Sequence, residues 1–170
     1  MNFDDDAIPN LKALKNLGLD TDIYIKVCRG KDAKKQTQMI LDSIPATYPG
    51  SYFRTAWIYV KQNPSPGCDW NSFPDYANCK YIKDMAQVIL NNGKDVGIFS
   101  SVQDWLLAFR KNSGCSELAD DFDVWYEYDD KKPAFDNFRP FGGWIEPSMK
   151  RYSVNNTWCG TDTSNLNYIK

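Results

Sequence analysis

Apolar and polar positions alternate one by one between residues 23 and 27, where Ile23, Ile25 and Val27 are separated by Tyr24 and Lys26. Strand side chains point to opposite faces in turn, so the run predicts a strand of about six residues that stops near Arg29 and Gly30. Upstream, Pro9 is followed by Leu11, Leu14, Leu17 and then Gly18, which predicts a short helix with proline in its first turn and glycine just past its end. Asp32 opens a second helix, predicted to reach about residue 44 and to end at Pro45. Residues 53–60, rich in aromatic and β-branched side chains, predict the next strand. Residues 62–74 hold three prolines and a glycine, a composition that excludes regular structure. A helix over 75–92 closed by Gly93, a strand over 96–100, a helix over 102–111 and a strand over 123–128 follow. Beyond them lies a polar loop, 129–140, and then strands near 141–145 and 149–153 with no helix between them.

Alternating strands and helices point to a parallel sheet flanked by helices, rolled by right-handed crossovers toward an open sheet or a barrel. At 170 residues and 42% hydrophobic content, the chain suits a single domain with one core. Its net charge of -2 leaves no electrostatic footprint for nucleic acid. No apolar run is long enough to span a bilayer, and the acidic start, Asp4-Asp5-Asp6, has the wrong sign for a signal peptide. Histidine is absent, which removes the commonest general base, the commonest zinc ligand and every Ser-His or Cys-His nucleophile pair. Five cysteines cannot all pair within one chain, and none shows metal-knuckle spacing, so no metal or other cofactor is expected.

Several segments carry a resemblance: Ala56-Trp57-Ile58-Tyr59-Val60-Lys61, Val96-Gly97-Ile98-Phe99-Ser100-Ser101, Val124-Trp125-Tyr126, Phe138-Arg139-Pro140-Phe141-Gly142-Gly143-Trp144, and a tail with Cys159-Gly160 and Asn165-Leu166-Asn167-Tyr168. In order and spacing they resemble the eukaryotic branch of glycoside hydrolase family 25, the lysozyme-like N-acetylmuramidases, from about residue 11 to the end. The resemblance implies an α/β fold, an incomplete TIM-like (β/α) barrel of mostly parallel strands whose first two strands are missing. A closed eight-stranded barrel takes about 200–250 residues, so the barrel is expected to be open. Its two edge strands, over 23–27 and near 149–153, would then offer unpaired backbone groups to another protein chain or to a second copy. By resemblance the compartment is extracellular or lysosome-like, although the N-terminus carries no such address. A secreted chain would favour disulfides, with Cys68 and Cys79, which flank one loop, best placed to pair; a cytosolic chain would keep all five thiols reduced. The sequon Asn155-Asn156-Thr157 matters only on the secretory route.

Cleaving a glycosidic bond takes two carboxyl groups, one protonated to donate and one ionised to attack or to stabilise positive charge. The family's Asp-x-Glu pair, on two same-facing positions at a strand end, corresponds here to Tyr59 and Lys61. Its closing-strand carboxylate corresponds to Asn165, and the fourth lies in a strand with no counterpart. Tyrosine and lysine, with ordinary pKa values near 10, do not replace carboxylic acids. Asp130, next to Asp129 after the Trp125–Tyr128 run, matches a further acidic position and is the candidate for a recruited acid, although adjacent aspartates also open ordinary turns. Tyr126, Tyr128 and Trp144 are candidate sugar-stacking residues, with Tyr126 and Tyr128 sharing a face and Trp125 left to the core. The stiff loop 62–67 stands at the expected cleft mouth. Three functions are therefore open: a structural or interaction module within a larger assembly, a pseudoenzyme that binds peptidoglycan or chitin-like glycans, and an active muramidase using Asp130.

Overall fold

The computed structural model describes residues 6–47, 53–158 and 161–170. In chain order the elements are α1 (Ala7–Asn16), β1 (Ile23–Lys26), α2 (Ala33–Thr47), β2 (Thr55–Tyr59), α3 (Asp75–Asn91), β3 (Asp95–Ser100), α4 (Val102–Phe109), a 3-10 turn (Ser116–Asp120), β4 (Asp123–Glu127), β5 (Met149–Trp158) and β6 (Thr161–Ile169). The six strands form one sheet in sequence order. β1 to β5 run parallel, and β6 returns antiparallel to β5. The sheet curls into a half-barrel, the incomplete (β/α) barrel expected from the sequence, with β1 and β6 at its edges.

Period-two alternation divides the strand side chains between two layers. Ala56, Ile58, Val60, Ile98, Val124 and Tyr126 pack with Ile82, Met85, Ile89 and Trp105 from the helices, and each fully buried large side chain contributes roughly 2–3 kcal/mol. Trp57, Tyr59, Phe99 and Trp125 form a separate cluster on the inner, concave face. Tyr59, Phe99 and Trp125 occupy one cross-strand row and stack face to face, with centroids 4.0 and 3.9 Å apart. Gly97 lies opposite Trp57; a Cβ there would stand 2.3 Å from the indole ring, so only glycine leaves room for it.

Four expectations need correction. α2 continues through Pro45 to Thr47; the proline costs one donor in the last turn, while Leu41 and Ile44 bury against the core and hold that turn in place. Residues 141–145 form no strand: Phe141 and Trp144 make one isolated bridge across Gly142 and Gly143, both at positive φ, which is a tight turn. The second open edge is β6 rather than the segment at 149–153, which is interior and paired on both sides. The disulfides are Cys28–Cys68 and Cys79–Cys115, not Cys68–Cys79. Loop 61–74 folds back on the end of β1, where Arg29 N–H donates to Cys68 O at 3.3 Å, so partners distant in sequence become neighbours in space. Closing loops of this length contributes typically about 2–4 kcal/mol each. Cys159 lies outside the described residues.

Candidate functional site

At the C-terminal ends of parallel strands, side chains from neighbouring strands converge. Tyr59 ends β2, Lys61 follows it, Glu127 ends β4, and Arg151 stands beside Glu127 in β5. The four residues form one cluster. Lys61 Nζ donates to Glu127 Oε1 at 2.7 Å. Tyr59 Oη donates to Glu127 Oε2 at 3.0 Å, and Arg151 Nη1 donates to the same oxygen at 3.2 Å. The Arg151 guanidinium lies 4.4 Å above the Phe99 ring and 5.0 Å from that of Trp125, a desolvated cation on an aromatic floor.

The electrostatics follow from these contacts. Burial alone would raise the Glu127 pKa, but the hydrogen bonds and charges of Lys61, Tyr59 and Arg151 outweigh it and hold the carboxyl below its ordinary value. Burial opposes the Lys61 ammonium, and its bonds to Glu127 and Tyr59 overcome that and raise its pKa. Burial pushes the Tyr59 phenol up to about 12, with the Glu127 charge adding to it and the hydrogen bond with Lys61 opposing it. At neutral pH the cluster therefore holds an ionised carboxylate, an ammonium, a guanidinium and a neutral phenol. At neutral pH such a carboxylate has no proton to give, and its two oxygens already accept three hydrogen bonds.

Beside this cluster opens a cleft of about 420 Å³, bordered by Lys61, Asp104, Glu127, Tyr128, Asp129 and Arg139 among others. Its carboxylates all have partners. Asp104 accepts from Ser101 Oγ and Gln62 N at the start of α4, and Asp129 pairs with Lys131 at 2.8 Å. Tyr128 is 51% exposed.

Of the other candidates from the sequence, Tyr126 also borders this cleft, whereas Asp130, Trp144 and Asn165 do not. Asp130 sits on the outer side, where Lys150 Nζ donates to it at 2.9 Å. Lys150 is 0% exposed and also reaches Lys132 O, Ala134 O and Asn137 Oδ1. Asn137 Nδ2 donates to Asp130 as well. Burial works to raise the Asp130 pKa, but Lys150 and the backbone N–H of Lys132 bring it below its ordinary value. Tyr126 is 3% exposed and donates to Asn137 Oδ1 at 2.7 Å. Trp144 is 5% exposed, donates to Phe122 O at 2.7 Å, and packs edge-on against Trp105. Tyr126 and Tyr128 do share a side of β4, as alternation requires, but Trp125 and Glu127 are the residues that face the concave surface. Asn165 is exposed on β6 and accepts from the N–H of Asn155, whose φ of 55° marks an irregular stretch of the β5–β6 pairing.

Sequence reasoning missed Glu127 and Arg151. The available signal was a charge set among aromatic residues in each strand, Trp125-Tyr126-Glu127-Tyr128 and Lys150-Arg151-Tyr152. Cys79, Cys115 and Glu117 lie close enough together to suggest a metal site, but the two sulfurs are bonded to each other and offer no thiolates.

The family described as Lysozyme-like protein 1 matches residues 1–152. Counting factor 45-1 of Dictyostelium discoideum is 30% identical over 148 residues, covering 84% of this chain and 46% of that protein. Probable GH family 25 lysozyme 3 of the same organism is 29% identical over 164 residues, covering 95% of this chain and 32% of that protein. The chain thus spans less than half the length of these two relatives. A bacterial lysozyme from Streptomyces coelicolor superposes with a TM-score of 0.76 at 16% identity, over 99% of this chain and 76% of that one, which is a likeness of fold. With the family match running over most of its length, the chain belongs to the lysozyme-like proteins, as a divergent eukaryotic member of glycoside hydrolase family 25.

Proposed function

We propose that the chain is a single lysozyme-like domain that does not hydrolyse glycans and serves as a structural or protein-interaction module, a subunit of a larger assembly that it joins through its open sheet edges. The observation that carries this is the state of Glu127: ionised, with its oxygens taken by Tyr59, Lys61 and Arg151. A cation beside the bond would also repel the positive charge that develops on the sugar. Asp130 offers no substitute, because its carboxylate is bound to buried Lys150. One relative bears the name of a counting factor rather than a lysozyme, which is in keeping with a role other than hydrolysis. Two disulfides suit an oxidising compartment.

Clearing of bacterial cell-wall suspensions tests the proposal. The expected result is no clearing above buffer; clearing that disappears in Glu127→Gln or Asp130→Asn would overturn it. A second reading, glycan binding without cleavage, is favoured by the exposed Tyr128 ring at the cleft. It predicts saturable binding of peptidoglycan or chitin fragments that is lost in Tyr128→Ala, and a flat titration with both removes it.

A further inference from the structure

We propose that the β1 edge pairs with the β1 edge of a second copy of this chain, making an antiparallel, two-fold dimer centred on Tyr24. The proposal deepens the interaction-module reading and rests on it, since it names a partner for one of the open edges.

The segment Asp22-Ile23-Tyr24-Ile25-Lys26 is complementary to itself. A two-fold axis through Tyr24 sets Asp22 opposite the partner's Lys26, Ile23 opposite the partner's Ile25, and Tyr24 opposite the partner's Tyr24. Every residue then meets one that points to the same face. On the concave face lie Asp22, whose carboxylate accepts one bond per oxygen from β2, from Thr55 N at 2.9 Å and Trp57 Nε1 at 3.1 Å, and keeps further lone pairs for a cation, Tyr24, whose ring contacts Tyr59 and Phe99, and Lys26. On the helix face lie Ile23 and Ile25. The pairing creates two ion pairs and one aromatic pair, the cross-strand contacts that stabilise antiparallel sheets. A slip of one residue would set apolar side chains against the wrong face. A slip of two would leave a charge without its opposite.

The surroundings suit a self-association surface. Among the described residues, β1 has β2 as its one neighbour in the sheet. Tyr24 is 49% exposed at the edge. Behind β1, a groove of about 740 Å³ runs between α1 and α2, lined by Leu11, Leu14, Ile23, Met39, Ile40 and Ile44 among others. Met39, in the lining, is 65% exposed.

Sedimentation equilibrium over about 1–200 μM should give a mass rising toward two chains. Lys26→Glu places like charges at both ends of the pairing and should weaken the dimer at least about tenfold. Tyr24→Cys should form a disulfide-linked dimer under mild oxidation, because directly opposed antiparallel residues have Cα separations within disulfide range. Lys26→Cys should not, since it faces Asp22 of the partner subunit. The proposal is overturned by a monomeric mass throughout with unchanged circular dichroism, which would leave the edge to a different polypeptide. It is equally overturned by Lys26→Cys cross-linking as readily as Tyr24→Cys, or by a dimer indifferent to Lys26→Glu. Cell-wall clearing by the same preparation would count against the non-hydrolytic reading and leave the dimer standing.

Discussion

On the concave side of β4, Glu127 is held by two cations and a phenol at the rim of a cleft. Three residues further on, Asp130 is held on the outer side by Lys150, which is wholly enclosed and is also satisfied by backbone oxygens of the loop it fastens. The chemistry is the same, a carboxylate against a cation, and the settings are opposite. A buried lysine with several acceptors cannot lose its partner cheaply, because an uncompensated charge remains inside. In the inner cluster Lys61 is more than a third exposed and can exchange its partner for water. The outer pair thus fixes the chain around 129–138, whereas the inner cluster determines which chemistry the cleft can support.

The contrast is most easily broken at Lys150. Lys150→Met should destabilise the fold by about 3–5 kcal/mol, read as a lower urea midpoint at unchanged slope; a loss below about 1 kcal/mol would reduce the outer pair to an ordinary surface contact. Next comes Glu127→Gln, which leaves Lys61 and Arg151 around a neutral amide and should cost about 1–3 kcal/mol in the same assay.

The pH dependence sharpens the comparison. Both carboxyls lie below their ordinary values when folded, so the stability they contribute is present above the unfolded carboxylate range and is lost as pH falls through the folded values. Glu127→Gln should therefore flatten part of the acid limb of the stability profile and Asp130→Asn another part. At the alkaline end, the unfolded Tyr59 phenol ionises near 10.0 and the folded one near 12, so its contribution falls between those values and Tyr59→Phe should flatten that limb. The smallest effect belongs to Lys61→Met. Its side chain is more than a third exposed, and the expected loss is no more than about 1 kcal/mol.

Much of the fold was legible because strands and helices leave different periods. Ile23-Tyr24-Ile25-Lys26 and the residues around Trp57 declare strands, and Gly18 and Gly93 close helices at positive φ as expected. What escaped depends on contacts between distant positions. Nothing local indicates that Cys28 meets Cys68, that the glycines after Phe141 turn the chain, or that Lys150 has no exposed surface. Tyr59 and Lys61 could be singled out from the sequence. Their partner could not, because it takes the register of β4 with β5 to set Glu127 beside Arg151. Period two also leaves the choice of face open, and it is Trp125 and Glu127, not Tyr126, that take the concave face.

The Cys28–Cys68 bond has a practical corollary. Pro64, Ser65, Pro66 and Gly67 are exposed and lie between the two linked cysteines, so a protease that cuts there severs the chain without releasing either piece. The nicked protein would migrate as one band until a reducing agent is added and as two bands afterwards, a simple gel assay for whether this bridge has formed.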